Sequence, residues 1–219
     1  MSSRSLALIM LGAVMTAAPV GALERAGQVS TVQQQAFQAS GQVGFTVEKG
    51  ADIFQQARVY TKQYGSIEIR LEDGTNLTVA PNASLVIDEY VFAGDAKPGV
   101  IALSLARGAI RMISGRMPED GVSIKTSVAT IGVRGTTFWV NAISDEETQL
   151  WVTEGAVTAT ATQSGERFEF AAPSHVTCSA VSCVAGGTPP VPATFPLGDA
   201  GGGGDGPGDD GGGESGNDR

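Results

Sequence analysis

Ile67-Glu-Ile-Arg-Leu-Glu-Asp-Gly-Thr-Asn-Leu-Thr-Val79 decides the fold class. Ile67, Ile69 and Leu71 alternate with charged residues, Asp73-Gly74 interrupts, and Leu77 and Val79 resume the alternation. Period two puts every second side chain on one face of an extended chain. Asp-Gly between two such runs is a tight-turn signal. The same grammar continues outward, in Leu85-x-Ile87, Ile101-x-Leu103-x-Leu105 and Phe168-x-Phe170, with turn signals at Ala80-Pro81-Asn82, Arg107-Gly108, Gly132, Glu154-Gly155 and Ser164-Gly165. Residues 41–185 carry this alternation, and no later stretch holds a helical period. The expectation is an all-β domain.

Its motifs recur. Leu103-Ser-Leu-Ala-Arg-Gly-Ala-Ile110 resembles Leu150-Trp-Val-Thr-Glu-Gly-Ala-Val157, 47 residues on. A strand–corner–strand unit at Leu77–Ser84 returns in looser form at Val122–Ala129 and Arg167–Ser174, 45 residues apart each time. Short strands with tight corners at a fixed period predict a β-solenoid-like domain or a rolled β-sandwich.

The ends read differently. Met1–Ala22 has Arg4, an apolar run from Leu6 to Ala18, and small residues at Val20 and Ala22, the pattern of a secretory signal cleaved after Ala22. The apolar run is shorter than the roughly 20 residues of a spanning helix, and no later segment is long and apolar enough. Processing would leave a periplasmic or secreted chain without a transmembrane segment. Residues 23–40 are a Gln-rich lead-in without a clear stripe, where a short helix at 28–38 fits as well as a strand. Residues 186–219 are rich in Pro, Gly and Asp and have too little apolar content to offset chain entropy, so a disordered tail is expected.

Six acidic residues of that tail (Asp199, Asp205, Asp209, Asp210, Glu214, Asp218) stand against Arg219, over half of the chain's net charge of −9. The remainder is nearly balanced and has no basic stripe of the kind nucleic-acid binding requires. Cys178 and Cys183, in an exported chain, most simply close a local disulfide. A zinc site with His175 would lack a fourth Cys or His ligand, so neither metal nor cofactor is expected. Ser174 and His175 are adjacent and point to opposite faces of a strand, which is poor geometry for a relay. Asp88-Glu89 and Asp145-Glu146-Glu147 read as solvated acids. No catalytic set emerges, and the expectation is a protein that is not an enzyme.

Several of these stretches resemble the FecR domain family. Val59–Ile87, with Asp73-Gly74-Thr75 and the Pro81-Asn-Ala-Ser84 corner, is similar to the family's opening; Leu105–Ile110 is similar to its Gly-x-Ile/Val step. Thr126–Val140 contains its Arg-Gly-Thr-x-Phe signature as Arg134-Gly135-Thr136-Thr-Phe138, preceded by Gly132, and Val152–Val157 carries the closing Glu154-Gly155-x-Val. The resemblance, over about residues 41–161, implies a periplasmic β-rich module that works through protein contacts. In the family's transmembrane members it relays a signal from an outer-membrane iron-chelate receptor to a cytoplasmic sigma factor. Here the cytoplasmic segment, the membrane helix and room for a receptor-docking domain are not expected. A free-standing exported module with a protein partner in the envelope is the implied function. The alternatives are a secreted structural or adhesion-type protein with a flexible acidic tail, or a carbohydrate-binding β-solenoid using Tyr60, Tyr64, Tyr90 and Trp151. Arg134, held between Gly132 and Gly135, either bonds corner carbonyls or a carboxylate such as Asp73, or recognises an anionic ligand.

Overall fold

The computed structural model describes residues 24–92, 94, 99–118 and 120–186. The expected signal, with its cleavage after Ala22, and residues 187–219 of the expected tail lie outside them.

Among the described residues every regular element is a strand, as the alternation predicts. The strands are β1 (Arg25–Gln33), β2 (Ala36–Ser40), β3 (Val43–Thr46), β4 (Asp52–Phe54), β5 (Arg58–Thr61), β6 (Ser66–Leu71), β7 (Asn76–Val79), β8 (Ser84–Val91) and β9 (Val100–Ile113). They continue with β10 (Val122–Lys125), β11 (Ala129–Ala142), β12 (Thr148–Ala161), β13 (Arg167–Ala171), β14 (Ser174–Cys178) and β15 (Cys183–Gly186). All 15 belong to one sheet, whose main path runs β15-β14-β12-β11-β10-β9-β7-β6-β1-β4, with β8, β5, β2 and β3 branching from β9 and β13 from β12. Pairing is antiparallel except for the parallel β9–β10 ladder. One apolar core runs from Ala26 to Cys183. A single sheet supplies both of its walls, so the sheet is rolled onto itself.

The roll is built into the three 14-residue strands β9, β11 and β12. In β9 the buried positions include Ile101, Leu103 and Leu105, then Ile110 and Met112 on the alternate parity; in β12 they include Leu150 and Val152, then Val157, Ala159 and Ala161. In β11, Ile131 and Val133 give way to Thr136, Phe138 and Val140. Each interruption is an odd number of residues, so the buried face changes parity once per strand, as a bulge requires. A glycine with positive φ sits at each interruption: Gly108 (76°), Gly135 (56°) and Gly155 (75°). There the strands change partners. The first part of β9 pairs with β8 and β10 and its second part with β7 and β11, crossing over at Arg107 and Gly108.

The repeats are visible in these bends. Gly108 and Gly155 are the equivalent glycines of the 47-residue repeat. Strand-corner pairs β7–β8, β10–β11 and β13–β14 occupy the 45-residue repeat. Two of these corners dock on the bends: a methyl group on Gly108 would stand 2.6 Å from Ala83 Cα, and Ala172 N–H donates to Gly155 O at 2.9 Å.

Residues 25–40, set apart as a lead-in by their composition, form β1 and β2. β1 lies between β4 and β6 and buries Ala26 and Val29. The helix that fitted residues 28–38 is not formed, because strand partners on both sides take β1's backbone groups. A register shift between Val29 and Thr31 breaks its alternation, which hides the strand in the sequence.

Candidate functional site

Most signature residues serve the framework. Asp73, in the turn after β6, is fully buried. Its carboxylate accepts from Thr75 N at 3.2 Å, Thr75 Oγ1 at 2.6 Å and the Tyr90 hydroxyl at 3.3 Å. Gly115 N–H donates to Thr75 Oγ1, and Arg116 donates through N and Nε to Asp73 O, so the chain leaving β9 is tied to the same turn. Arg116 also stacks over Phe92 at 5.1 Å. Burial pushes the Tyr90 phenol well above its ordinary range; the neighbouring Asp73 charge pushes the same way, while the bond from Asp73 N opposes it. The carboxylate suggested for Arg134 therefore has other partners. The sequence signals Asp73 and Thr75 but gives no sign of Tyr90, 17 residues away.

Phe138 is fully buried and Thr136 nearly so. Glu154 is exposed beside the bend and accepts from Thr137 Oγ1 at 2.9 Å. Arg134 is exposed at its bend and lines a shallow groove of about 130 Å³ with Gly132, Thr158, Asp120, Arg167 and Glu169. Gly132 leaves room for the Thr158 hydroxyl, which a methyl group there would meet at 2.6 Å. Two cations and two carboxylates line this groove, so its charge selects for neither anion nor cation.

Cys178 and Cys183 form a disulfide across the β14–β15 hairpin, with Cα atoms 4.0 Å apart. Both thiols are consumed, and the zinc alternative with His175 loses its sulfur ligands. Ser174 and His175 occupy opposite faces of β14 without a mutual hydrogen bond, and His175 lies against Trp151 at 5.0 Å. Asp88, Glu89, Asp145 and Glu146 are exposed and Glu147 is half-buried; Asp88 accepts from Ser104 at 2.6 Å. The four aromatics considered for carbohydrate do not form a row: Tyr90 is in the core, Trp151 is buried on the other face, and Tyr64 is 67% exposed in a turn.

The unabsorbed chemistry sits on surfaces. β3 pairs only with β2, and its outer edge has no strand beside it among the described residues. On one face of this edge Val43 and Phe45 are 58% and 63% exposed. On the other, Phe37 and Tyr60 stack at 5.1 Å, with Arg58 over Tyr60 at 5.3 Å and Lys62 about 6 Å from both rings. An open strand edge with apolar and cationic groups on its two faces is a template for another chain. Sequence reasoning named Tyr60 but missed Phe37, Val43 and Phe45, because the edge exists only once β2 and β3 are paired.

The fold is a rolled, glycine-hinged all-β module. Residues 57–158 match the family described as FecR protein. The chain carries a FecR domain. None of the curated proteins compared matches it. It is similar to two crystal structures, at 1.65 Å and 2.50 Å, of "a putative anti-sigma factor" from Parabacteroides distasonis ATCC 8503. Each has 16% identity and a TM-score of 0.47, over 59% of this chain and 58% of that one. The chain thus spans under two thirds of the length of those proteins. No helix among the described residues is long and apolar enough to cross a membrane.

Proposed function

We propose that this is an exported, non-enzymatic FecR-domain protein that acts through protein contacts in envelope signalling or regulation. The β3 edge carries this reading. A partner segment added beside β3 gains backbone hydrogen bonds, covers Phe45 and Val43 on one face, and meets Arg58 and Lys62 on the other. That chemistry calls for an extended segment of an envelope protein bearing both apolar and acidic side chains. The leader at Met1–Ala22 supports a periplasmic or secreted location, and the local disulfide suits an oxidising compartment.

Site-specific photo-crosslinking in the native host tests the proposal, with a photoreactive side chain at Phe45 and a control at Glu146. Crosslinks to one envelope protein from position 45, lost in the Lys62→Glu variant, are expected. Equal crosslinking from both positions, or a chain kept in the cytoplasm with its leader intact, overturns the reading.

A further inference from the structure

Two rows of outward side chains cross strands β10 to β13. One runs Ser123–Gly132–Thr158–Glu169 and the other Lys125–Thr130–Thr160–Arg167, each step a paired position of the ladder. Their chain neighbours Ile124, Ile131 and Ala159 are buried in the core, so alternation turns both rows outward. The strand spacing makes this face about 14 Å across, and the rows lie about 7 Å apart. Small and hydroxyl side chains form its middle, and charged ones stand at its ends. Gly132 lowers the middle further, because a methyl group there would meet Thr158 Oγ1 at 2.6 Å. Two adjoining hollows result, about 130 Å³ beside Arg134 and Ala156 and about 260 Å³ over Thr130 and Thr160. Both are lined by Asp120, Gly132, Thr158 and Arg167, so they form one trench.

The polar groups of this trench are uncommitted. Among the described residues, the hydroxyls of Ser123, Thr130, Thr158 and Thr160 take part in no hydrogen bond, and Asp120, Arg167 and Glu169 form no ion pair. Opposite charges that line one trench without pairing keep their donors and acceptors for a guest. The trench is lined by two cations and two carboxylates, which removes the drive to hold a phosphate, a carboxylate or a polycation. Apolar guests gain nothing, since Phe168 and Phe170 of β13 pack toward the core side. Hydroxyl groups both donate and accept, so a floor of hydroxyls suits a guest whose own groups do both. Carboxylates accept from neighbouring hydroxyls of such a guest, and a guanidinium donates to them. An uncharged, hydroxyl-rich guest that extends along a shallow trench is an oligosaccharide.

We propose that the β10–β13 face binds an uncharged oligosaccharide whose rings lie across the strands over Gly132. Ser123, Thr158 and Thr160 bond its hydroxyls from below, and Asp120, Arg167 and Glu169 bond them from the rim. The site shares no residue with the β3 edge, so the module holds a glycan independently of a protein partner. Without an aromatic platform the affinity rests on polar contacts that compete with water. About five such hydrogen bonds give a Kd of about 0.1–1 mM.

The test is an NMR titration of the isotope-labelled full-length chain with cellotetraose and, separately, chitotetraose. Saturable amide shifts centred on Gly132, Thr158 and Glu169 are expected with at least one of the two. Thr158→Val keeps the side chain's shape, removes the hydroxyl and raises Kd about fivefold, while Arg167→Ala raises it about tenfold. Far-UV dichroism is unchanged in both variants, and Phe45→Ser at the β3 edge binds like the parent. The absence of saturable shifts with either sugar overturns the proposal. So does binding centred on Tyr60 and Tyr64, or binding that Thr158→Val and Arg167→Ala leave intact. Shifts of the same amides with a Glu-Lys repeat peptide, and with neither sugar, overturn it by assigning the face to a polypeptide.

Discussion

The glycine bends make a prediction that separates backbone conformation from packing. Gly108, Gly135 and Gly155 all have positive φ, yet their surroundings differ. A methyl group on Gly135 meets nothing within 4 Å, whereas one on Gly155 stands 2.7 Å from Thr136 Cγ2, 2.9 Å from Arg134 O and closer still to Gly135 O. On Gly108 it would press on Ala83 N, Cα and Cβ at 2.6–3.0 Å. An L-residue in this region costs about 1–2 kcal/mol, and this is the whole cost for Gly135→Ala. Gly155→Ala and Gly108→Ala add an overlap with backbone atoms that cannot rotate away, about 1–3 kcal/mol more. At about 3 °C per kcal/mol for a domain of this size, Gly135→Ala lowers Tm by about 3–6 °C and the other two by about 6–15 °C. Thermal unfolding of the three variants, followed by far-UV circular dichroism, checks the ranking. Equal losses would show that φ alone sets the cost. A larger loss at Gly135 would refute the proposed packing of the bends.

Three further outcomes follow from the buried polar and sulfur groups. Asp73→Asn replaces a carboxylate that accepts three hydrogen bonds and should lower stability by about 2–3 kcal/mol, read as a lower urea midpoint with an unchanged m-value; an unchanged midpoint would sink the network. Tyr90 stays neutral in the folded protein to higher pH than in the unfolded chain, so its share of stability is complete below pH about 10 and falls as pH rises beyond that. Tyr90→Phe should therefore lose about 1–2 kcal/mol at pH 8 and show a shallower decline of the urea midpoint above pH 10; an equally steep decline would rule Tyr90 out as its source. Replacing Cys178 and Cys183 together with Ala opens a loop of only a few residues and should cost about 2 kcal/mol by chain entropy, measured by calorimetry against the reduced parent, which should match it.

The fold class was legible because most ladders bury alternate residues, and even the bends left a trace. Leu105 to Ile110 and Val152 to Val157 are five-residue gaps between positions of the same burial, each containing a glycine. A change of parity marked by glycine is what a rolled sheet looks like in one dimension. β1 and β2 were not legible. Ala26 and Val29 are an odd step apart within one strand, and Gln33 to Gln35 contribute no apolar marker. Site chemistry fared worse for a physical reason. Asp-Gly-Thr announces a turn, but Asp73 is buried by Tyr90 and Arg116, which arrive from β8 and from beyond β9. Phe138 and Trp139 are adjacent on β11 and so face opposite ways. That Trp139 stands opposite Trp151, and Trp151 opposite His175, depends on strand register, which local sequence does not encode.

The matched residues 57–158 hold the three bends and most of the core, but they complete neither surface. The edge patch takes Arg58, Tyr60 and Lys62 from within the match and Phe37, Val43 and Phe45 from before it. The β10–β13 face takes Ser123, Gly132 and Thr158 from within and Arg167 and Glu169 from after it. The glycine-hinged roll is thus a scaffold that fixes part of each surface, and the flanking strands β2, β3 and β13 supply the rest. Specificity assembled in this way is a matter of which strands are added to the edges. Exchanging residues 25–46 for the corresponding strands of another FecR-domain protein should accordingly redirect the crosslinks from the β3 edge while leaving oligosaccharide binding at the β10–β13 face unchanged. A loss of both together would mean that the two surfaces are a single cooperative unit.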